Sequence, residues 1–188
     1  MKEKLSCSEI TKRKIAYALK ELMQTVPFEK ITISDISKKS NIHRQTFYYH
    51  FQDRYELLDY LLNMELVSSF VEDFSYSNME EKFYEVFSTI YNDRKFYQNA
   101  VNINMSDVYK YFAKLSTKEL LALINTTLKK NKINENDCDA ISIAEFFGFG
   151  LGGMIISWIE RGMKETPKDM ASNVTGFINK FSELITNK

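Results

Sequence analysis

The stretch SNIHRQTFYYHF, residues 40–51, sets Arg44, Gln45, Thr46, Tyr48, Tyr49 and His50 around two apolar anchors, Phe47 and Phe51. A helix ordinarily meets water with Lys and Glu, whereas this one offers two tyrosines and a glutamine. With Phe47 placed inward and ~100° taken per residue, Gln45 and Tyr49 fall almost opposite it. Thr46 and Tyr48 lie on the flanks, and Arg44 stands at the amino end. These side chains suit the major groove of double-stranded DNA. Gln pairs with adenine, Arg with guanine, and the methyl of Thr meets that of thymine. Tyr and Thr hydroxyls bond phosphate oxygens and so fix register.

The preceding residues, ITISDISKKSNIH, prepare that helix. Thr32 and Asp35 have the spacing of a helix start, Ile33, Ile36 and Ile42 point inward, and the turn falls at Ser40–Asn41. Asn tolerates the left-handed backbone such a turn needs. A first helix is expected over 8–25, begun by Ser6 and Glu9 and stopped by Pro27. The third covers about 44–50. Asp53 and Glu56 then open a long fourth helix, about 54–74. Two short helices joined by so tight a turn make a helix-turn-helix, motif about 32–51. A plain helical hairpin has the same spacing.

Composition supports a helical chain. The 188 residues include 2 Pro and 6 Gly, and every glycine lies at Gly148 or later. Further helices are expected over about 79–91, 94–113 with a break near Asn102–Asn104, 117–131, 137–161 and 167–186. The last opens on Thr166, Pro167 and Asp169. The fold class is all-α, with nine or ten helices.

Net charge is zero, but residues 1–56 carry 11 Lys+Arg against 7 Asp+Glu, and the remainder is correspondingly acidic. A polyanion partner therefore belongs at the amino-terminal end. Cys7 and Cys138 make no disulfide framework, and the first residues lack the apolar core of a signal peptide. The longest apolar run, FFGFGLGGMIISWI at 146–159, is shorter than a bilayer span. A cytoplasmic protein with no membrane partner is the expectation.

Residues 31–58, ITISDISKKSNIHRQTFYYHFQDRYELL, resemble the signature of the TetR family of bacterial transcription regulators. Thr32, Asp35 and Ile36 carry the resemblance, followed by Thr46-Phe47-Tyr48-x-His50-Phe51 and the basic Arg54. The chain departs from the pattern with Asn41 for the usual Gly and His43 for the usual Ser or Thr. The resemblance implies a DNA-binding domain over 1–53 and an effector-binding and dimerisation domain over 54–188. It implies that Thr32, Tyr48, His50 and Arg54 hold phosphates, while Arg44, Gln45, Thr46 and Tyr49 reach bases or nearby backbone. For His50, packing beside Phe47 and Phe51 is an equal alternative. It further implies a near-palindromic operator, a homodimer formed by the last two helices, and an effector that is a small molecule or a protein. The segment FGFGLGGMIISWIERGMKETPKDMA looks like the carboxyl-terminal domain of a subgroup that includes regulators of dihydroxyacetone kinase genes.

The Gly148-x-Gly150-x-x-Gly153 spacing mimics a dinucleotide fingerprint, but no strand precedes it. Gly148 and Gly152 instead share one helical face, which admits a close neighbour. A second subunit is the expected neighbour, with Ile155, Trp158 and Phe177 completing the interface; packing within one subunit is the alternative. Phe83, Phe87, Tyr91, Tyr109 and Phe112 are candidate effector-lining residues, although aromatics at helical spacing are usually core. Both histidines lie in the DNA-binding segment, which leaves no His-based metal or haem site beyond it, and no cofactor is called for. No nucleophile elbow or P-loop points to an enzyme. The remaining rival is a helical protein-interaction module without specific DNA binding.

Overall fold

The structure is a computed structural model that describes residues 5–70, 74–103, 105–130 and 139–186. Among these residues it contains nine α-helices and no strand. They are α1 (Cys7–Met23), α2 (Ile33–Lys39), α3 (Arg44–His50), α4 (Arg54–Phe70), α5 (Met79–Asn92), α6 (Arg94–Ile103), α7 (Met105–Lys130), α8 (Ala140–Glu160) and α9 (Pro167–Thr186). A single 3-10 turn, Phe28–Lys30, follows Pro27 and was not legible in the sequence.

Local chemistry explains the helix starts. The Ser6 hydroxyl accepts the Glu9 N–H at 3.1 Å. Thr32 and Asp35 form a reciprocal capping box, and Thr166 and Asp169 exchange the same pair of bonds ahead of Pro167. The end of α8 uses positive φ at Gly162 and Met163, and the Met163 N–H returns to the Trp158 carbonyl at 2.8 Å.

One expected boundary is absent. Ser116 and Glu119 have the spacing of a helix start, yet α7 runs through them without interruption. Packing overrides the local signal, because Thr117 sits against α8 while Phe112, Leu115 and Ser116 face α5. The expected break near Asn102–Asn104 corresponds to the end of α6 at Ile103. Cys138 and the expected start of α8 at 137 lie outside the described residues.

The amino-terminal helices close over Ile15, Leu19, Phe28, Ile31, Ile36, Phe47 and Phe51, all buried. Helix α4 runs from this head to pack on α5, while α7 lies along α8 and α5 along α9. By length and composition alone α8 could cross a bilayer. Here it packs on α7, within one apolar core that joins both halves of the chain.

The glycine stripe is where the sequence reading needs correction. A Cβ on Gly148 would stand 2.0 Å from the Thr117 hydroxyl and 2.7 Å from its backbone nitrogen. One on Gly152 would meet the Ala113 nitrogen at 2.9 Å. The close neighbour is therefore α7 of the same chain. Ile155 and Trp158 are buried in that subunit as well. Trp158 meets Phe87 edge-on at 5.4 Å, and its indole N–H donates to the Glu165 carbonyl. Of the five residues assigned to a subunit interface, Phe177 alone is exposed.

Candidate nucleic-acid interface

The turn before α3 is built on Asn41, whose φ of 50° is left-handed. Ser40 closes it from inside, donating its hydroxyl to the Ile36 carbonyl, and the Ile42 N–H bonds the Ser37 carbonyl. His43 occupies the N-cap of α3 without making a side-chain cap bond, which follows from the loss of the usual Ser or Thr there. Phe47 is fully buried and Phe51 nearly so, their rings 5.9 Å apart. These two anchors fix the rotation of α3.

That rotation turns Gln45 and Tyr49 outward. Tyr49 is 81% exposed and Tyr48 52%, while Arg44 and Gln45 are exposed and Thr46 is half-buried. A tyrosine that open contributes nothing to its own core. Thr32 is exposed at the start of α2, its hydroxyl donating to the Asp35 carboxylate at 2.6 Å. The two bonds from Thr32, side chain first, hold the Asp35 carboxyl below its ordinary range.

Two expected phosphate contacts are placed differently. The Arg54 guanidinium turns back into the protein and donates to the carbonyls of Phe28, at 2.8 Å, and Ile31. It also lies 4.9 Å from the centre of the Phe28 ring. Arg54 therefore fastens the 3-10 turn to the start of α4, and a phosphate would have to compete with those carbonyls. His50 is half-buried with its ring 4.9 Å from Tyr49 and 6.5 Å from Phe51, the packed alternative. Burial first, and then the charge of Lys12, lowers its pKa.

Sequence reasoning missed the groups around that histidine. Lys12 of α1 stands 6.0 Å from the Phe51 ring and 5.8 Å from that of Tyr60. The Tyr60 hydroxyl donates to Glu9 at 2.6 Å. The Tyr60 hydroxyl in turn holds the Glu9 carboxyl down against its partial burial. The spacing within α1 carried no signal for this, because the partners come from α3 and α4.

The five candidate effector-lining residues do not share one site; three of them meet and two lie apart. Phe83, Phe87 and Phe112 border an apolar void of about 20 Å³ between α5, α7 and α8. Tyr91 stacks on Trp158. Tyr109 instead lines an open apolar groove of about 570 Å³ on the outer face of α8 and α9, with Phe146, Phe149, Met154 and Phe177. A further cavity of about 100 Å³ lies between α4 and the α6–α7 region, lined by Tyr55, Leu58, Asp59, Leu62, Ala100 and Ile103 among others. Among the described residues no cluster of His, Cys, Asp and Glu could hold a metal.

Comparison with known proteins agrees with this arrangement. Residues 15–61 match the family described as bacterial regulatory proteins, tetR family, and residues 77–180 match a transcriptional regulator C-terminal region. The chain is 27% identical over 140 residues to the HTH-type dhaKLM operon transcriptional activator DhaS of Lactococcus lactis, covering 74% of each protein. A solved structure of a dihydroxyacetone kinase operon activator, DhaS, matches with a TM-score of 0.77 at 22% identity, over 93% of this chain and 97% of that one. NalD, the secondary repressor of the MexAB-OprM multidrug efflux pump in Pseudomonas aeruginosa, matches with a TM-score of 0.57 at 13% identity, over 93% and 96% of the two chains. The chain belongs to the TetR family and is a DNA-binding transcriptional regulator, not an enzyme.

Proposed function

We propose that this regulator binds a near-palindromic operator as a homodimer, reads it with α3, and is re-set by an effector. One observation carries the reading: Gln45 and Tyr49 are exposed on the face opposite the buried Phe47. Gln45, Arg44 and Thr46 meet base edges, while Tyr48, Tyr49 and Thr32 meet phosphates and adjacent backbone. The segment 1–53 is the reading head and 54–188 the body that pairs and senses. A cytoplasmic location follows from a chromosomal target.

A second copy is the occupant that best fits the groove on α8 and α9. Phe146 is 75% exposed, Phe177 63% and Phe149 49%, an apolar surface that a lone chain would leave in water. Paired through it, two reading heads would address successive major grooves about 34–36 Å apart. The effector, a small molecule or a protein, has little open space among Phe83, Phe87 and Phe112, so it must widen that core or act at the cavity beside α4. The match to a dhaKLM operon activator supports dihydroxyacetone kinase genes as the target.

The test is binding of purified protein to genomic fragments across a salt series. Operator binding weakens steeply as salt rises, because phosphate neutralisation releases counterions. Binding that ignores salt, or no recovered fragment, would return the chain to the protein-interaction reading.

A further inference from the structure

The turn between α1 and α2 is gripped by side chains from two other helices. The Phe28 N–H donates to Asn99 Oδ1 on α6 at 3.0 Å. The Phe28 carbonyl accepts from Arg54 at the start of α4. Asn99 Nδ2 donates in turn to the carbonyls of Met23, at 3.0 Å, and Val26, at 2.7 Å. A carboxamide has one oxygen and one NH₂ group with two hydrogens. Both hydrogens and one lone pair of the oxygen are directed at residues 23–28.

The same seam continues towards the start of α6. Asp93 accepts from Gln24 at 3.2 Å and pairs with Lys20 at 2.7 Å, and Lys20 also meets Glu65 of α4. Burial alone would lower the Lys20 pKa, but its bonds to Asp93 and Glu65 outweigh that and raise it. Helix α6 therefore touches the reading head through directed polar bonds, whereas α7 and α8 meet α6 from the body side. Phe28 itself is fully buried, and only four positions later Thr32 caps α2.

We propose that Asn99 is a positioning residue for DNA recognition. By holding the backbone of residues 23–28 it lets α6, together with α4, set the attitude of α2 and α3. A ligand or partner that shifts α6 moves the reading head through these bonds, and the cavity bordered by Ala100 and Ile103 is well placed to do so. A sliding apolar contact would tolerate such a shift. Three directed bonds to one short stretch of backbone would not, since hydrogen bonds weaken steeply with angle and distance. This inference rests on the reading of α3 as the DNA-reading helix of a dimer.

The test uses the full-length chain and the duplex it selects from a random-sequence library. Asn99→Ala removes all three bonds, whereas Asn99→Asp keeps an acceptor for the Phe28 N–H and loses both donors. Spin labels at Lys38→Cys on α2, with Cys7 and Cys138 replaced by Ser, report the distance between the two heads of the dimer. Affinity for the selected duplex should fall roughly tenfold in both variants, since Asn99→Asp turns a carboxylate oxygen onto the Met23 and Val26 carbonyls. Both variants should keep their helical content and show a shifted or broader distance distribution. If Asn99→Ala does not fold, Asn99→Asp carries the comparison. Parent-like affinity and distances in the folded variants would overturn the proposal, as would unfolding of both, since Asn99 would then serve the fold alone. A parent chain that selects no duplex would instead overturn the reading of α3.

Discussion

Two helices of this chain carry conspicuous faces, α3 and α8, and they ended differently. On α3 the unusual residues Gln45 and Tyr49 point away from the protein. On α8 the unusual residues Gly148 and Gly152 point into it, against α7. The difference lies in helix length and surroundings. A seven-residue helix anchored by Phe47 within it and Phe51 just beyond it has one buried side, so the opposite side is fixed by elimination. A twenty-one-residue helix that is apolar nearly all round has several faces that could be buried, and periodicity does not rank them.

The strongest way to break this comparison is to fill the α7–α8 contact. Gly148→Val places its Cβ against the Thr117 backbone, which cannot swing aside as a side chain would. Overpacking of this kind costs roughly 1–3 kcal/mol and sometimes more. The thermal midpoint should fall sharply, and an unchanged melt would mean that α7 and α8 are not so closely packed. The same substitution made at Gly150, which faces open space, should be much milder.

Next in size is the effect expected on the reading face. Gln45→Ala removes a pairing with a base edge worth roughly 1–3 kcal/mol of discrimination. It should relax sequence preference without moving the melting curve, as measured by competition between selected and random duplexes. Preserved preference would show that α3 does not read bases through Gln45.

The outer face of α8 sharpens the contrast with its inner one. Phe149→Glu should leave the monomer folded yet shift sedimentation from dimer to monomer, because it puts a charge in an apolar groove. A dimer that persists would move the interface elsewhere.

The smallest effect concerns His50, held below its ordinary pKa of 6.5 by burial and then by Lys12. The folded state favours the neutral ring, so this contribution is full above pH 6.5 and is lost as pH falls through the folded value. His50→Gln should flatten the acid side of the stability profile. An unaltered acid slope would place that pH dependence in other groups.

What the sequence made legible was local. Capping pairs such as Ser6 with Glu9 and Thr166 with Asp169, and the left-handed Asn41, each involve residues three or four apart, or one residue alone. What stayed hidden was long-range. Arg54 reaches back to Phe28, Asn99 reaches α1, and Thr117 receives Gly148. In each pair at least one partner looks ordinary beside its own neighbours, so the pairing leaves no local trace. The family resemblance implies a phosphate contact for Arg54, and the glycine stripe suggests a subunit interface for Trp158. Bonds to backbone carbonyls instead hold Arg54, and burial holds Trp158, within the subunit's own framework.

The central claim is that the outward face of α3 enters a duplex, and a footprint on the selected operator tests it most directly. The parent chain should protect two patches in successive major grooves on one side of the duplex. Gln45→Ala combined with Tyr49→Ala should abolish that protection while the dimer and its melting curve persist. An unchanged footprint from the doubly substituted protein would contradict the account.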